Sequence, residues 1–280
     1  MLKWIGRGIY ILLLAALTAL TQVGGAVLLM STVVVWSIFP SGLLSRFTAF
    51  LFHILAFAAL YACVSFLLVP EVARTQGRVP LQCTATEARP YGALSPLFCI
   101  LNRNYAAPQV EAGLGHLAAA LARTRPGTVT SYLDAGFPFL DRFPMLPHIG
   151  HRDGLDLDLA FFYQDGAGTY LPGGARSRIG YGAFEQPDAG AEQPCADVKE
   201  PLTLRWDLPW LQAKLPPYRL DTERTAALLE WLTTEGPEHG VAGLIVEPHL
   251  ATRLGVSSEL IRFQGCRAAR HDDHIHVDFK

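Results

Sequence analysis

The absence of charge over its first quarter limits this chain more than any other feature. No charged residue occurs from Gly8 to Ser45, and after Arg46 none occurs from Phe47 to Pro70. A helix on the surface of a water-soluble domain needs a polar face, and these runs offer none. One untilted crossing of a bilayer takes about 20 apolar residues. The first run is too long for one such crossing and too short for two good ones. It is expected to form one long helix, bent near Gly24-Gly25 and ending at Pro40-Ser41-Gly42. The second run suits one crossing. Residues 1–70 are therefore expected to be a transmembrane helical hairpin seated in the lipid bilayer, and residues 71–280 one soluble domain. No small-residue cleavage pattern closes the first run, so a cleaved signal peptide is not expected.

The soluble part reads as mixed helix and strand with short connections, which makes α+β the expected fold class. From Glu71 to Ala107 it is irregular, with Pro80, Pro90 and Pro96. Pro108 opens a helix at its first turn, where a missing N–H costs nothing. Val110, Leu114, Leu117 and Leu121 form its core stripe, and Pro126-Gly127 stops it. Thr128 to Leu133 reads as a strand, and Asp134 to Pro147 as a Phe- and Pro-rich loop. Gln164 to Leu220 is rich in Gly and Pro and reads either as a lid or as a surface loop. Asp221 caps a helix whose face is Thr225, Leu228, Leu229 and Leu232. Val241 to Val246 is a buried strand, and Ser257 is expected to cap a short helix to Phe263.

Net charge is -2 and no basic run occurs, so nucleic acid is not an expected partner. Of five cysteines, Cys63 lies in the second apolar run. Cys83, Cys99, Cys195 and Cys266 lie in the soluble part, an even number compatible with two disulfides and an oxidising compartment. Proximity and order along the chain suggest Cys83–Cys99 and Cys195–Cys266. No Cys-x-x-Cys occurs, which argues against a thiolate zinc site.

Chemistry concentrates in two stretches. His148-Ile149-Gly150-His151-Arg152-Asp153-Gly154-Leu155-Asp156-Leu157-Asp158 alternates acidic and apolar residues in its second half and runs into Phe161-Phe162-Tyr163. On a strand Asp156 and Asp158 share one face, while Leu155, Leu157 and Leu159 share the other. Gly154 lets the backbone turn from the histidines into the strand. Near the other end, His271-Asp272-Asp273-His274-Ile275-His276-Val277-Asp278 puts His274 and His276 on one strand face and Ile275 and Val277 on the opposite one. Either stretch alone reads as a solvated tail or a surface strand. Laid side by side, they offer nitrogen and carboxylate oxygen from one face, which is what a zinc site takes.

His148-x-x-His151-x-x-Gly154-Leu155-Asp156-x-Asp158, followed by His271-x-x-His274-x-His276, resembles the motif pair of the penicillin-insensitive murein endopeptidases. These belong to a wider group of zinc peptidases that includes the D-Ala-D-Ala carboxypeptidases and lysostaphin-type enzymes. The resemblance is confined to the two motifs. The apolar segment and the stretch from Gln164 to Leu220 have no counterpart in it. It implies a small antiparallel sheet with flanking helices around a zinc cleft. It also implies Zn2+ held by His151, Asp158 and His276, catalytic His274 and His271, and His148 as a further active-site histidine. Asp156, Asp272 and Asp273 are then candidates to fix imidazole tautomers. No His-Glu-x-x-His occurs, so no helical glutamate base is named. Glu247 and His249 either line the cleft or, for His249 after Pro248, begin a helix.

The implied function is a membrane-anchored zinc metallopeptidase that hydrolyses amide bonds of cell-wall peptides at D-amino acids. The alternative is a catalytically silent zinc module that binds murein or a protein partner. Retention of His271 and His274, which holding the metal does not require, favours the enzyme. Location is contested. Around a two-crossing hairpin, Lys3, Arg7, Arg74 and Arg78 outnumber Arg46, which favours a cytoplasmic domain. The cysteines and the murein resemblance favour an extracytoplasmic, periplasmic one. The charge bias is small, so the second location is expected.

Overall fold

In the computed structural model the apolar quarter folds into three helices instead of two. The structure describes residues 2–39, 45–146, 148, 150–198 and 205–280, and of residues 2–6 and 46 only the backbone. Helices α1 (Leu2–Thr21), α2 (Gly24–Ile38) and α3 (Arg46–Cys63) come first. A π turn over Val64–Leu68 carries α3 into α4 (Val69–Thr75). Pro70 has no N–H to offer the ladder, and the wider turn before it absorbs that defect. The break between α1 and α2 is at Gln22, whose φ of 65° is a left-handed conformation that a helix interior does not hold. The expected bend at Gly24-Gly25 thus becomes a reversal. A Cβ on Gly25 would lie 2.0 Å from Thr18 Oγ1 and 2.8 Å from the Leu14 carbonyl, so glycine lets the two backbones close. The helix end expected at Pro40-Ser41-Gly42 lies outside the described residues; α2 ends at Ile38. Among the described residues only the helix from Phe47 to Thr75 is long and apolar enough to cross a membrane by itself, and Arg7–Thr21 and Gly24–Ile38 are shorter apolar helices.

The rest of the chain is α+β. Its elements in order are β1 (Val79–Pro80), β2 (Tyr91–Ala93), α5 (Pro96–Ile100), β3 (Tyr105–Ala106), α6 (Pro108–Thr124), β4 (Thr130–Tyr132), β5 (Asp156–Ala160) and β6 (Tyr163–Gln164). They continue with α7 (Pro209–Gln212), β7 (Arg219–Leu220), α8 (Thr222–Thr234), β8 (Val241–Ile245), α9 (Pro248–Leu254), β9 (Ile261–Arg262) and β10 (His274–Phe279). The main sheet has six strands in the order β2-β4-β5-β10-β8-β9. Its centre is antiparallel, but the outer pairs β2 with β4 and β8 with β9 are parallel. This corrects the small antiparallel sheet expected: the outer strands pair in parallel, adding a strand at each edge.

One face of the sheet is the core. Helix α6 buries Val110, Leu114, Leu117 and Leu121 as its stripe predicts. Helix α8 begins at Asp221, whose side chain accepts from the Arg224 N–H at 3.0 Å, and buries Thr225, Leu228, Leu229 and Leu232. The apolar residues of both helices meet Leu157, Leu159, Ile275 and Val277 in one cluster. Each such side chain removed from water stabilises the fold by about 1.5–3 kcal/mol. The helix expected after Ser257 does not form. Instead the Leu244 N–H donates to the Leu260 carbonyl and Ile261 pairs with Leu244, so the open edge of β8 draws this segment into β9. Both disulfides form as expected, Cys83–Cys99 and Cys195–Cys266.

Candidate metal centre

The face of the sheet away from α6 and α8 carries the polar alternates. Strands β5 and β10 are antiparallel neighbours with His276 opposite Asp158, Asp278 opposite Asp156 and His274 opposite Ala160. The register therefore brings the two histidine- and aspartate-bearing stretches together on one surface.

Asp158 is the hub. Its carboxylate is fully buried. Oδ2 accepts from the Tyr181 hydroxyl at 2.7 Å and lies 2.9 Å from His148 Nδ1. Oδ1 lies 2.9 Å from His276 Nδ1, 3.1 Å from His151 Nε2 and 3.7 Å from His274 Nε2. Burial penalises the charge of Asp158. The surrounding imidazoles, His151 and His274 first, outweigh that and hold its pKa well below the usual carboxylate range.

The hydrogen bonds assign the tautomer of His151. Its Nδ1 is 2.6 Å from the Ala135 carbonyl, which can only accept, so Nδ1 carries the proton. Nε2 is the nitrogen left over. It is buried, makes no hydrogen bond, and faces the carboxylate oxygen at 3.1 Å. A nitrogen and a carboxylate oxygen this close, with no hydrogen bond between them, form a pair that a small cation can join. Two ligands of one small ion, each bonded at about 2.0–2.2 Å, stand close to that far apart. His274 is oriented in the same way. Its Nδ1 is 2.5 Å from Asp273 Oδ1, which directs Nε2 toward Asp158. Asp273 Oδ2 in turn accepts the Gly182 N–H.

His148 sits between two carboxylates, Asp158 and Asp134. Burial works against its charged form, but Asp134 and Asp158 push its pKa up to about 9. Asp134 is held by Arg103 through two bonds of 2.5 and 2.7 Å. Burial opposes the charge of Asp134 too, and His148 and Arg103 overcome it, so its pKa is lowered. For His276, burial is again outweighed, here by Asp156, Asp158 and Asp278, and the pKa lies well above the ordinary value. His271 differs. Burial and the neighbouring His274 push its pKa well below the usual imidazole value, so it is neutral at pH 7. Its ring lies 4.8 Å from that of His274.

Among the described residues two groups bring their ligand atoms within 4.8 Å of one another: His148 with His151 and Asp158, and Asp156 with His276 and Asp278. Four of the six positions of the expected site fall in these groups, His148, His151, Asp158 and His276; of the other two, His274 Nε2 lies 3.7 Å from Asp158 Oδ1 and the His271 ring lies beside that of His274. Within the two groups His148 stands beside His151 and Asp158, and His276 joins the second group while still touching Asp158. Of the aspartates expected to orient imidazoles, Asp273 does so, whereas Asp272 pairs with Arg270.

Local structure holds the loop that carries the histidines. At Gly154 the backbone has φ of 74°, and a Cβ there would lie 2.3 Å from the Arg78 guanidinium. Arg78 also donates to the Phe137 carbonyl at 3.3 Å and pairs with Asp141. The stretch from Gln164 to Leu220 contributes directly through Tyr181 and Gly182. Burial and the charges of Asp134 and Asp158 hold the Tyr181 hydroxyl well above its ordinary pKa, so it remains a donor. Tyr181, Asp134 and Arg103 were not legible as site residues. They come from three separate loops, and nothing in their spacing marks them. A cleft of about 400 Å³ opens beside Asp272, lined among others by Arg205, Glu247, His249 and Arg270. His249 is both a helix-start residue, in the first turn of α9, and a wall of this cleft, donating to the Glu185 carbonyl at 2.8 Å. No protein-family model matches the chain, and no curated protein matches it.

Proposed function

We propose that this chain is a zinc-dependent peptidase that hydrolyses amide bonds in cell-wall peptides at D-amino acids, held at a membrane by its apolar helices with the catalytic domain on the oxidising side. One observation carries the metal: the orphaned, buried Nε2 of His151 aimed at Asp158 Oδ1 at 3.1 Å. The family resemblance of the two motifs supports the reaction and the choice of zinc, with His151, Asp158 and His276 as ligands. His148, which shares the tightest group with His151 and Asp158, stands ready as an alternative or additional ligand.

Zinc, when bound, lowers the pKa of a coordinated water to about 7 and polarises the scissile carbonyl. The chain's own groups supply the rest. The Asp273 carboxylate accepts from His274 Nδ1 and directs Nε2 inward, toward the place where the attacking water gives up its proton. His271, kept neutral by burial, adds a second imidazole beside it at neutral pH. Tyr181 holds the Asp158 carboxylate from one side and leaves its other oxygen to the imidazoles. The alternative, a silent metal-holding module, needs no such oriented base.

The deciding experiment digests cross-linked murein with the full-length protein in detergent and reads the products by mass spectrometry, with metal content measured on the same sample. Conversion of cross-linked muropeptides to monomers, or release of a terminal D-amino acid, lost on chelation and regained with zinc, is expected. Intact murein alongside a full complement of metal would overturn the enzymatic reading.

A further inference from the structure

The three apolar helices meet the soluble domain alternately. Gln22, at the α1–α2 turn, accepts the Phe139 N–H at 2.9 Å with its side-chain oxygen. Its neighbour Val23 packs with Val69, Ala73 and Tyr105. At the end of α3, the Tyr61 hydroxyl donates to the Ile100 carbonyl at 2.7 Å, and Asn102 donates to Ser65 at 3.1 Å. The last turn of α1, the first of α2 and the last of α3 therefore lie against the domain. The start of α1, the end of α2 and the start of α3 lie at the opposite end, toward which the Phe39 and Phe52 rings meet at 4.6 Å.

The surface of this unit is reversed relative to a soluble one. Leu12, Trp36, Phe47 and Leu55 are each more than three-fifths exposed, while Thr21, Ser31, Thr32 and Ser65 are buried. The buried hydroxyls are satisfied within the unit or at its junction: Thr21 donates to Leu17 O at 2.7 Å, Thr32 donates to Leu28 O at 2.8 Å, and Tyr10 and Thr32 join α1 to α2 at 2.9 Å. Apolar outside and hydrogen-bonded inside is what hydrocarbon requires. At 1.5 Å per residue the uncharged part of α1, residues 8–21, is about 21 Å long and α2 about 22 Å, against a hydrocarbon core of about 30 Å. Bilayers meet a deficit of this kind by thinning and by snorkelling of flanking residues such as Arg7, at modest cost.

Charge then sets the direction. The positive-inside rule counts short segments, because long domains translocate largely regardless of charge. Lys3, Arg7 and Arg46 all belong to the end away from the domain, and the short Gln22-Val23 turn carries no charge. We infer that α1, α2 and α3 each cross the bilayer, with the N-terminus and Ser45 on the cytoplasmic side and the soluble domain outside, its Phe139–Leu140 loop resting on the α1–α2 turn at the membrane surface. Three crossings remove the conflict that two created: Lys3, Arg7 and Arg46 now outnumber Arg74 and Arg78, which flank the domain and pair with Glu71 and Asp141, so the charges and the disulfides favour the same side. The inference extends the membrane location proposed above and rests on the helices and disulfides, independently of the metal.

The test uses the full chain with Cys63→Ser, expressed in membranes, carrying either Ser45→Cys or Ala119→Cys, the latter on the exposed face of α6. A membrane-impermeant maleimide is applied to intact spheroplasts and again after permeabilisation. Labelling of Ala119→Cys in intact spheroplasts, with Ser45→Cys labelled only after permeabilisation, is the expected result. Labelling of both from one side overturns three crossings. Release of the protein by alkaline carbonate would instead mean that the apolar faces are covered by protein, a second copy included, and overturns the inference as well. Metal content, measured separately, leaves the two proposals distinguishable.

Discussion

The strand pair β5–β10 carries two clusters of histidine and carboxylate one strand repeat apart, and they differ in what neutralises them. In the inner cluster Asp158 is fully buried among His148, His151, His274, His276 and Tyr181, and the Nε2 of His151 makes no hydrogen bond. In the outer cluster Asp278 is partly exposed and pairs with Arg262, and His276 spans to it from Asp158 at 3.0 Å. The outer carboxylates thus have cationic or proton-donating partners. The inner carboxylate has them too, in Tyr181, His148 and His276, but beside it the His151 Nε2 is buried with no hydrogen bond. Ligand type and proximity are common to both clusters; a buried nitrogen left without a partner beside a buried carboxylate is found in the inner one.

The comparison breaks most readily at His151. His151→Ala is expected to reduce metal from about one ion per chain to near none, measured by atomic emission on purified protein, while Asp278→Asn keeps it. Equal loss in both variants would mean that the clusters act as one site. His274→Ala should retain metal and slow murein hydrolysis by about 10²–10⁴-fold, the usual worth of one proton-transfer group. Loss of metal in that variant would move His274 among the ligands, a role that its oriented Nε2 also permits. Tyr181→Phe removes a donor to Asp158 without touching the ligands, and a loss of about 10–100-fold in metal affinity by competition with a chelator is expected. An unchanged affinity would show that the inner cluster needs no support from the segment over it.

The smallest effect is on pH. In metal-free protein the pKa of His148 is raised from 6.5 to about 9, so its contribution to stability is full below pH 6.5 and is lost as pH rises through about 9. His276 is raised as well and acts in the same sense. His271 is depressed, so its effect is confined to the acid side, below its ordinary pKa. Chelated protein should therefore lose thermal stability between pH 6.5 and 9, and metal-loaded protein should not. Melting curves across that range check this, and parallel curves with and without metal would leave the inner cluster without its cation.

Much of the site was readable because strand alternation is local. Leu157 and Leu159 facing away from Asp156 and Asp158, and Ile275 and Val277 facing away from His274 and His276, follow from the period of two wherever one face is buried. The core stripes of α6 and α8 and the Asp221 cap were readable for the same reason. The supporting residues were not. Arg103, Asp134 and Tyr181 lie on loops, and loops have no period from which a direction can be taken. The third helix of the apolar unit was missed because Gln22 is neither glycine nor proline; its left-handed turn is held by hydrogen bonds to Phe139 and Leu140, far along the chain.

The sequence by itself determined the class of elements and the two polar strand faces, because each depends on neighbours within a few residues; the pairing of the cysteines, 16 and 71 residues apart, was only suggested by their order. Only the tertiary structure decided that the two strands are adjacent and in register at His276 and Asp158, that β8 draws Leu260 and Ile261 into an added edge strand, and that the apolar run folds back at Gln22. These depend on partners about a hundred residues away, or on an open strand edge, whose energies no local pattern contains. The orientation of His151 belongs with them: a carbonyl sixteen residues upstream in sequence, brought within 2.6 Å by the fold, takes Nδ1 and turns the buried, unpartnered Nε2 toward Asp158.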